Sequence, residues 1–152
     1  MSLEDDIRIL SGVALFEELS NEQLRLLAFG AERIALTEGR ELFREGDKAD
    51  SGYIVVSGTI DLVRDTASGR RVLKKVVPPM VLGELALITE TTRMTGAVAA
   101  EGSQVIRISR SLFRRMLEEY PETAFHLHER LTDQLQELLH SIGALEARFG
   151  EA

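Results

Sequence analysis

The spacing of apolar residues changes twice along this chain and divides it into three parts. In the first part, Ser20 and Gln23 stand three residues apart, which is the pattern of a capping box at the start of a helix. Leu19 and Leu24 flank the box as a hydrophobic staple. The sequence therefore predicts a helix that begins at Ser20 and ends near Gly30.

From residue 31 to residue 108 the sequence changes to short apolar runs separated by glycines and prolines. Apolar and polar residues alternate over 59–63, which is typical of a half-buried strand. The segment 65–70 contains Thr, Ser and Gly and predicts a hairpin tip. Strands of this length predict a sandwich or barrel, which a helical fragment interrupts between Leu82 and Thr95.

After Ser109 the spacing becomes helical again, and Pro121 suits the first turn of a second helix. This second segment runs to about residue 149, with apolar residues at alternating steps of four and three, the spacing of a short coiled-coil seam. The seam residues are Leu131, Leu135, Leu138, Ile142, Leu145 and Phe149. They predict a parallel homodimer through this helix; the alternative is that the stripe packs across its own barrel.

Length, charge and apolar content narrow the possible functions. A chain of 152 residues has the usual size of one domain. A formal net charge of −7 argues against broad nucleic-acid binding, since the phosphate backbone requires a basic face. No apolar run approaches the length of a membrane span, and the acidic start at residues 3–6 lacks the features of a secretory signal. We therefore expect a cytoplasmic protein without membrane association.

The sequence offers no starting point for the common classes of hydrolase. It contains no cysteine, which removes thiol catalysis and thiolate metal sites. A cupin-type metal enzyme needs imidazoles on its strands, whereas His126, His128 and His140 fall in the C-terminal helical segment. The motifs of esterases, metalloproteases and nucleotide hydrolases are absent from the sequence. We expect no catalytic residue, no metal and no cofactor.

The segment 83–93, which reads GELALITETTR, has the composition of an anion site. Gly83 allows a sharp turn and a close approach to a ligand, and the amides of Leu85 and Ala86 then open a helix with N–H groups that favour a phosphate. Arg93 adds a planar clamp for phosphate oxygens, and Glu84 can accept a hydrogen bond from a neighbouring sugar hydroxyl. These residues predict a ribose phosphate site; the alternative is an internal ion pair between Arg93 and Glu84.

This segment resembles the phosphate-binding cassette of cyclic nucleotide-binding domains. That family includes catabolite-activator-type (Crp/Fnr-like) regulators, regulatory subunits of cyclic-nucleotide-dependent kinases and nucleotide-gated channels. The residues that fit its pattern are Gly83, Glu84, Leu85, Ala86, Leu87 and Arg93. The resemblance extends upstream over residues 42–63, where Gly46 and Gly58 fall at family turn positions. It implies a mainly β fold, a jelly roll or double-stranded β-helix, with N-terminal helices and a long C-terminal helix.

The resemblance also implies roles for individual residues. Glu84 would take the ribose 2′-hydroxyl and Arg93 the cyclic phosphate, with Leu82 near the ligand. The C-terminal helix closes over the base in this family, and alignment places Leu138 and Leu139 at that contact. The base contact would then be apolar stacking.

Two departures from the family pattern affect what is bound. Many members carry Ser, Thr or Ala after the arginine, whereas Met94 follows here, with Thr95 one place later and Gly96 where a bulkier residue is usual. Met94 removes the side chain most often linked to cyclic GMP, so cyclic AMP is favoured. Activators of the family continue into a helix-turn-helix, and since this sequence ends at Ala152 we expect no direct nucleic-acid contact from it.

These features predict a single domain over residues 1–152. It comprises an N-terminal helical segment over 1–30, a β-roll over 31–108 and C-terminal helices over 109–150. We expect a non-catalytic sensor module that binds a cyclic nucleotide and signals through its C-terminal helix. The alternative is an interaction or scaffold domain of the same fold that binds no nucleotide, for which Met94 and the two leucines at the base contact are the supporting residues.

Overall fold

The structure is a computed structural model that describes residues 2–123, 129 and 132–133. Three α-helices and ten strands lie within the described ranges. In chain order they are α1 Leu3–Ser11, α2 Asn21–Gly30, β1 Glu32–Leu36, β2 Glu41–Phe43, β3 Lys48–Ala49, β4 Ser51–Ser57, β5 Ile60–Thr66, β6 Gly69–Val76, β7 Met80–Leu82, β8 Thr91–Thr92, β9 Gly96–Ala99, β10 Ser103–Ser109 and α3 Arg110–Glu119. Short 3-10 helices lie at Ala14–Phe16 and Glu84–Leu87.

The predicted start of α2 is confirmed. The Ser20 hydroxyl oxygen accepts from the Gln23 N–H at 3.3 Å, and Gln23 Oε1 accepts from the Ser20 N–H at 2.7 Å. The other half of the Gln23 amide donates to the hydroxyl of Thr123 at 2.8 Å, so this buried side chain also ties α2 to the segment after α3. A second capping box between Ser2 and Asp5 begins α1, a helix that the sequence analysis leaves unassigned.

Two four-stranded antiparallel sheets form the body of the domain. One has the strand order β1-β10-β4-β7 and the other β2-β9-β5-β6, with β3 and β8 forming a separate pair. A buried apolar cluster joins the inner faces of the two sheets, with Val55 and Val105 from the first and Ile60 and Ala97 from the second. This arrangement confirms the predicted mainly β jelly roll.

The central strand β4 is buried on both faces. Tyr53 and Val55 belong to the cluster between the sheets, whereas Ile54 belongs to a second cluster with residues of the helices, among them Leu27 and Phe113. Alternate residues of a strand point to opposite faces, so a strand that is covered on both sides has no polar face. This explains the uninterrupted apolar run of β4, and it places the helices against the outer face of the first sheet.

The hairpin between β5 and β6 is tighter than predicted. The two strands pair as far as Thr66 and Gly69, which leaves a two-residue tip where the sequence predicted a tip over 65–70. Because β6 is an edge strand and almost wholly exposed, polar residues such as Arg70 and Arg71 fit it as well as a loop. The prediction from polar residues therefore ended β5 too early and began β6 too late.

The C-terminal predictions are tested only in part. The predicted helix after Ser109 is confirmed as α3, and residues 121–123 are helical. The predicted dimer seam and base contact, together with the three histidines, lie outside the described residues; they are Leu131, Leu135, Leu138, Leu139, Ile142, Leu145, Phe149, His126, His128 and His140. Within the described ranges, no helix combines the length and apolar character that crossing a membrane requires.

Replacing Ser20 by Ala tests the capping box. We expect the variant Ser20→Ala to lower the free energy of unfolding by about 1 kcal/mol, because the first-turn N–H of Gln23 loses its acceptor. Urea denaturation followed by circular dichroism measures this loss. Ser20→Asp is the matched control, since a carboxylate also accepts at this position, and equal losses in the two variants would contradict the capping role.

Candidate functional site

A cavity of about 340 Å³ opens beside the Glu84–Leu87 turn. Its wall contains every ligand-binding residue predicted from the cassette, namely Leu82, Gly83, Glu84, Leu85, Ala86, Arg93, Met94 and Thr95. The rest of the wall comes from other strands and loops, with Phe43, Ala49, Leu62, Val81, Thr91 and Thr92. The structure thus brings the predicted residues together around one space.

Gly83 is required at its position for two separate reasons. Its φ of +79° lies in the left-handed region, which costs a residue with a side chain roughly 1–2 kcal/mol. A Cβ atom placed on this backbone would also lie 2.2 Å from Nη1 of Arg93 and 3.4 Å from the carbonyl oxygen of Ser51. The glycine therefore lets the backbone meet the guanidinium edge directly.

The turn that follows Gly83 is a 3-10 helix anchored by its buried side. Ala86 and Leu87 are buried, and Leu87 packs into the cluster beneath the helices, while Glu84 and Leu85 line the cavity. The amide of Ala86 differs from the prediction, because it donates to the carbonyl of Gly83 at 3.1 Å. The short i to i+3 bonds of a 3-10 turn use this amide internally, so the prediction of an unpaired Ala86 N–H was wrong.

Arg93 lies inside the fold, with 7% of its surface exposed. Its Nη2 donates to the carbonyl of Ser51 at 2.8 Å, and its guanidinium carbon lies 4.3 Å from the ring centroid of Phe43 and 5.4 Å from that of Tyr53. Its own backbone is held on both sides, since its N–H donates to the carbonyl of Asp47 and its carbonyl accepts from the N–H of Gly46, each at 2.8 Å. The aromatic faces and these bonds fix the guanidinium at the cavity wall.

The charge of Arg93 has no carboxylate partner in the part of the chain that the structure describes. None of the ion pairs in this part of the chain joins Arg93 to Glu84. Burial lowers the pKa of the Arg93 guanidinium, and the groups of Tyr53, Asp50 and Asp47 oppose this shift. An arginine remains protonated in proteins even so, and the cavity wall thus presents a partly desolvated cation.

The loop after Arg93 completes the wall. Met94 is 56% exposed at the rim, and its carbonyl accepts from Nη2 of Arg64 at 3.1 Å. Thr95 is half-buried, and Gly96 begins β9 as a buried residue. A Cβ on Gly96 would approach Cγ2 of Val63 to 3.1 Å, a tight contact.

The aromatic side of the site was not predicted from the sequence. Phe43 and Tyr53 are far from Arg93 in sequence, and pairing of β2 with β9 and of β4 with β7 brings them beside it. An arginine pattern can indicate an anion site, but no local pattern shows which rings will lie under the guanidinium.

Comparison with known proteins identifies the domain. Residues 33–120, more than half of the chain, match the cyclic nucleotide-binding domain family. The chain belongs to this family. The match confirms the resemblance found in the cassette, and a cyclic nucleotide-binding domain of this kind is a regulatory module.

Several cyclic nucleotide-binding proteins are similar in sequence. The cyclic AMP receptor protein of Thermus thermophilus is 29% identical over 84% of this chain. The cAMP-dependent protein kinase regulatory subunit of Eremothecium gossypii is 34% identical over 68% of it. The chain spans 60% of the first relative and 22% of the second.

Solved structures show the same domain. A cyclic nucleotide-binding-like protein from Brucella abortus has 61% sequence identity and a TM-score of 0.70, over 75% of this chain and 98% of that one. The regulatory domain of Toxoplasma gondii PKA, solved with cAMP, has 27% identity and a TM-score of 0.69, over 75% of this chain and 44% of that one.

Replacing Gly83 by Ala tests the close approach of Arg93. We expect Gly83→Ala to lower the free energy of unfolding by about 1–2 kcal/mol, because its left-handed backbone strains a residue with a side chain and the new Cβ meets the guanidinium of Arg93. Urea denaturation followed by circular dichroism measures this loss. Gly12→Ala is the control, because Gly12 has an ordinary φ of −81° and room for a Cβ. Wild-type stability in Gly83→Ala would contradict the strain.

Proposed function

We propose that this domain is a non-catalytic sensor that binds a cyclic nucleotide, with cyclic AMP the first candidate, and works in the cytoplasm. One observation carries the proposal. Arg93 is a buried cation without a carboxylate partner among the described residues, and it faces a cavity lined by Gly83 and Glu84. A buried charge is stabilised when it is paired, so an anionic ligand completes this site.

The geometry favours a phosphodiester as that anion. A guanidinium carries five N–H donors in a planar fork. Among the described residues, the Arg93 guanidinium makes one hydrogen bond, from Nη2 to the carbonyl of Ser51. Other donors of Arg93 remain for phosphate oxygens, which match the fork geometry. Gly83 has no side chain to obstruct Nη1, so a cyclic phosphate can approach both the guanidinium and the backbone.

Glu84 supports the sugar part of the proposal. It stands at the first position of the 3-10 turn, half-buried at the cavity wall, one residue after Gly83. A carboxylate is a hydrogen-bond acceptor, and a ribose 2′-hydroxyl next to the phosphate is a suitable donor. In the proposed complex Arg93 therefore holds the phosphate and Glu84 the ribose.

Cyclic AMP is favoured over cyclic GMP for two reasons. Met94 offers no hydroxyl at the position after the arginine. The relative from Thermus thermophilus is named as a cyclic AMP receptor protein, and the Toxoplasma gondii regulatory domain was solved with cAMP. Both similarities lie below 30% identity, so they support a choice of first ligand for titration.

We assign no catalytic step to this chain. The lysophospholipase NTE1 of Chaetomium globosum is 26% identical over 84% of the chain, but the chain spans 9% of that protein. That enzyme's activity is therefore not carried to this domain by the similarity.

The contacts of the turn with α3 support the proposal that the signal passes to the C-terminal helices. The carbonyl of Ala86 accepts from Nε of Arg110 at 2.8 Å, and Arg110 is the first residue of α3. Leu87, one residue further along the turn, shares a buried cluster with Phe113 of α3. A ligand that binds one arrangement of the turn more tightly than another shifts the equilibrium between the two arrangements. The size of that shift is set by the difference in affinity.

Calorimetric titration of the Arg93→Ala variant tests the ligand. Wild-type protein should bind cyclic AMP more tightly than cyclic GMP, and Arg93→Ala should lose roughly 2–5 kcal/mol of binding free energy, as truncation of a buried charge partner does. Arg71→Ala is the control, since Arg71 is an exposed cation of β6 with no ion pair in the described part of the chain. A wild-type protein that binds neither nucleotide would favour the scaffold alternative.

The homodimer is a separate proposal that rests on the spacing of the seam residues. We expect wild-type protein to sediment as a dimer and Leu138→Asp to sediment as a monomer, because a charge in a coiled-coil seam is costly to bury. Analytical ultracentrifugation measures the change. Glu129→Gln is the control, since Glu129 is exposed and lies outside the seam. A dimer that persists in Leu138→Asp would place the interface elsewhere.

A further inference from the structure

Arg64 holds the loop that follows Arg93 from the side of β5. Its Nη2 donates to the carbonyl of Met94 at 3.1 Å, and its Nε donates to Oε1 of Glu45 at the same distance. Both side chains of this ion pair are close to half exposed. Arg64 lies outside the set of residues that line the cavity, although Met94 and Thr95 belong to that set.

The same region holds the backbone of Arg93. Glu45 belongs to the turn between β2 and β3. In this turn the N–H of Gly46 donates to the carbonyl of Arg93, and the carbonyl of Asp47 accepts from the N–H of Arg93. This turn is itself closed by bonds between Arg44 and Asp47. Two successive carbonyls, those of Arg93 and Met94, are therefore engaged by groups outside the cavity wall.

This arrangement leaves two amides without a protein acceptor. Within the residues that the structure describes, the N–H groups of Met94 and Thr95 have no hydrogen bond to a protein acceptor, although both residues line the cavity. In a trans peptide the N–H and the preceding C=O point in opposite directions. Because Arg64 engages the carbonyl of Met94 away from the cavity wall, the N–H of Thr95 points away from Arg64.

We propose that Arg64 is a positioning residue that orients the Met94–Thr95 peptide so that the N–H of Thr95 donates to the phosphate of the bound nucleotide. Glu45 fixes Arg64 through its ion pair and couples it to the turn that holds the backbone of Arg93. The turn thereby sets two phosphate donors, the guanidinium and the amide, before the ligand arrives. Donors that are already oriented reduce the entropy lost on binding. The inference rests on the proposed function.

Its effect on binding can be separated from an effect on stability. An exposed ion pair contributes little to folding, so Arg64→Gln should unfold close to the wild-type midpoint. If the Met94–Thr95 peptide loses its orientation, the hydrogen bond from the Thr95 N–H to the phosphate is weakened. Hydrogen bonds to an anion are among the stronger kinds. We expect Arg64→Gln to weaken cyclic AMP binding about three- to tenfold, and Glu45→Gln to weaken it in the same direction by a smaller factor.

The experiment combines calorimetric titration with ¹H–¹⁵N spectra at saturating cyclic AMP. In wild-type protein the Thr95 amide proton should move downfield on saturation, and in Arg64→Gln this movement should be reduced even when all sites are filled. Arg71→Gln is the matched control, because Arg71 lies directly opposite Arg64 in the hairpin and loses the same charge without a contact to Met94. It should bind and shift like the wild type.

The outcomes distinguish this inference from the function on which it depends. If wild-type protein shows no nucleotide binding, the proposed function fails. If wild-type protein binds but the Thr95 amide of Arg64→Gln moves as far as in wild type, the positioning role is overturned whatever the affinity. Equal losses of affinity in Arg64→Gln and Arg71→Gln also overturn it, since they would indicate a general effect of charge.

Discussion

The site depends on a buried guanidinium whose hydrogen bonds and charge are satisfied only in part by the described residues. The Arg93 guanidinium donates one hydrogen bond, to the carbonyl of Ser51, and packs against two aromatic rings. Burial lowers its pKa. These contacts hold the cation in place without neutralising it. A carboxylate at this position would stabilise the empty fold and compete with any anion for the same donors. In the proposed function the ligand supplies the charge compensation that the described part of the chain does not, and the glycine at position 83 leaves Nη1 of Arg93 free of a neighbouring Cβ.

The double-sheet architecture is what makes such an arginine possible. Its aromatic neighbours come from β2 and β4, its carbonyl partner from the start of β4, and its backbone partners from the turn before β3. Strand β4 also turns Ile54 toward the helices, while Tyr53 faces the apolar cluster between the two sheets. The Glu84–Leu87 turn itself contacts α3, through the hydrogen bond from Arg110 to the carbonyl of Ala86 and through the cluster that Leu87 shares with Phe113.

Local pattern was enough to predict the parts of this molecule that local interactions determine. The capping box at Ser20, the succession of short strands and the residues of the cassette all depend on neighbours within a few positions. Features that depend on register between distant strands were not predictable in this way, as Phe43 beneath Arg93 and Arg64 on the Met94 carbonyl show. The hairpin tip was misplaced for a related reason, since an edge strand and a loop expose similar polar residues.

The departure at Met94 bears on selectivity more than on the capacity to bind. More than half of this side chain is exposed at the rim, so little of the volume beside Arg93 is lost to it. The phosphate contacts proposed for the site come from the guanidinium and from backbone amides, neither of which depends on the identity of the side chain at position 94. A family pattern that places a small or hydroxyl residue there describes contacts to the base or an added contact to the phosphate. Methionine at this position lacks the hydroxyl that the family pattern links to cyclic GMP, while Gly83, Glu84 and Arg93 still line the cavity.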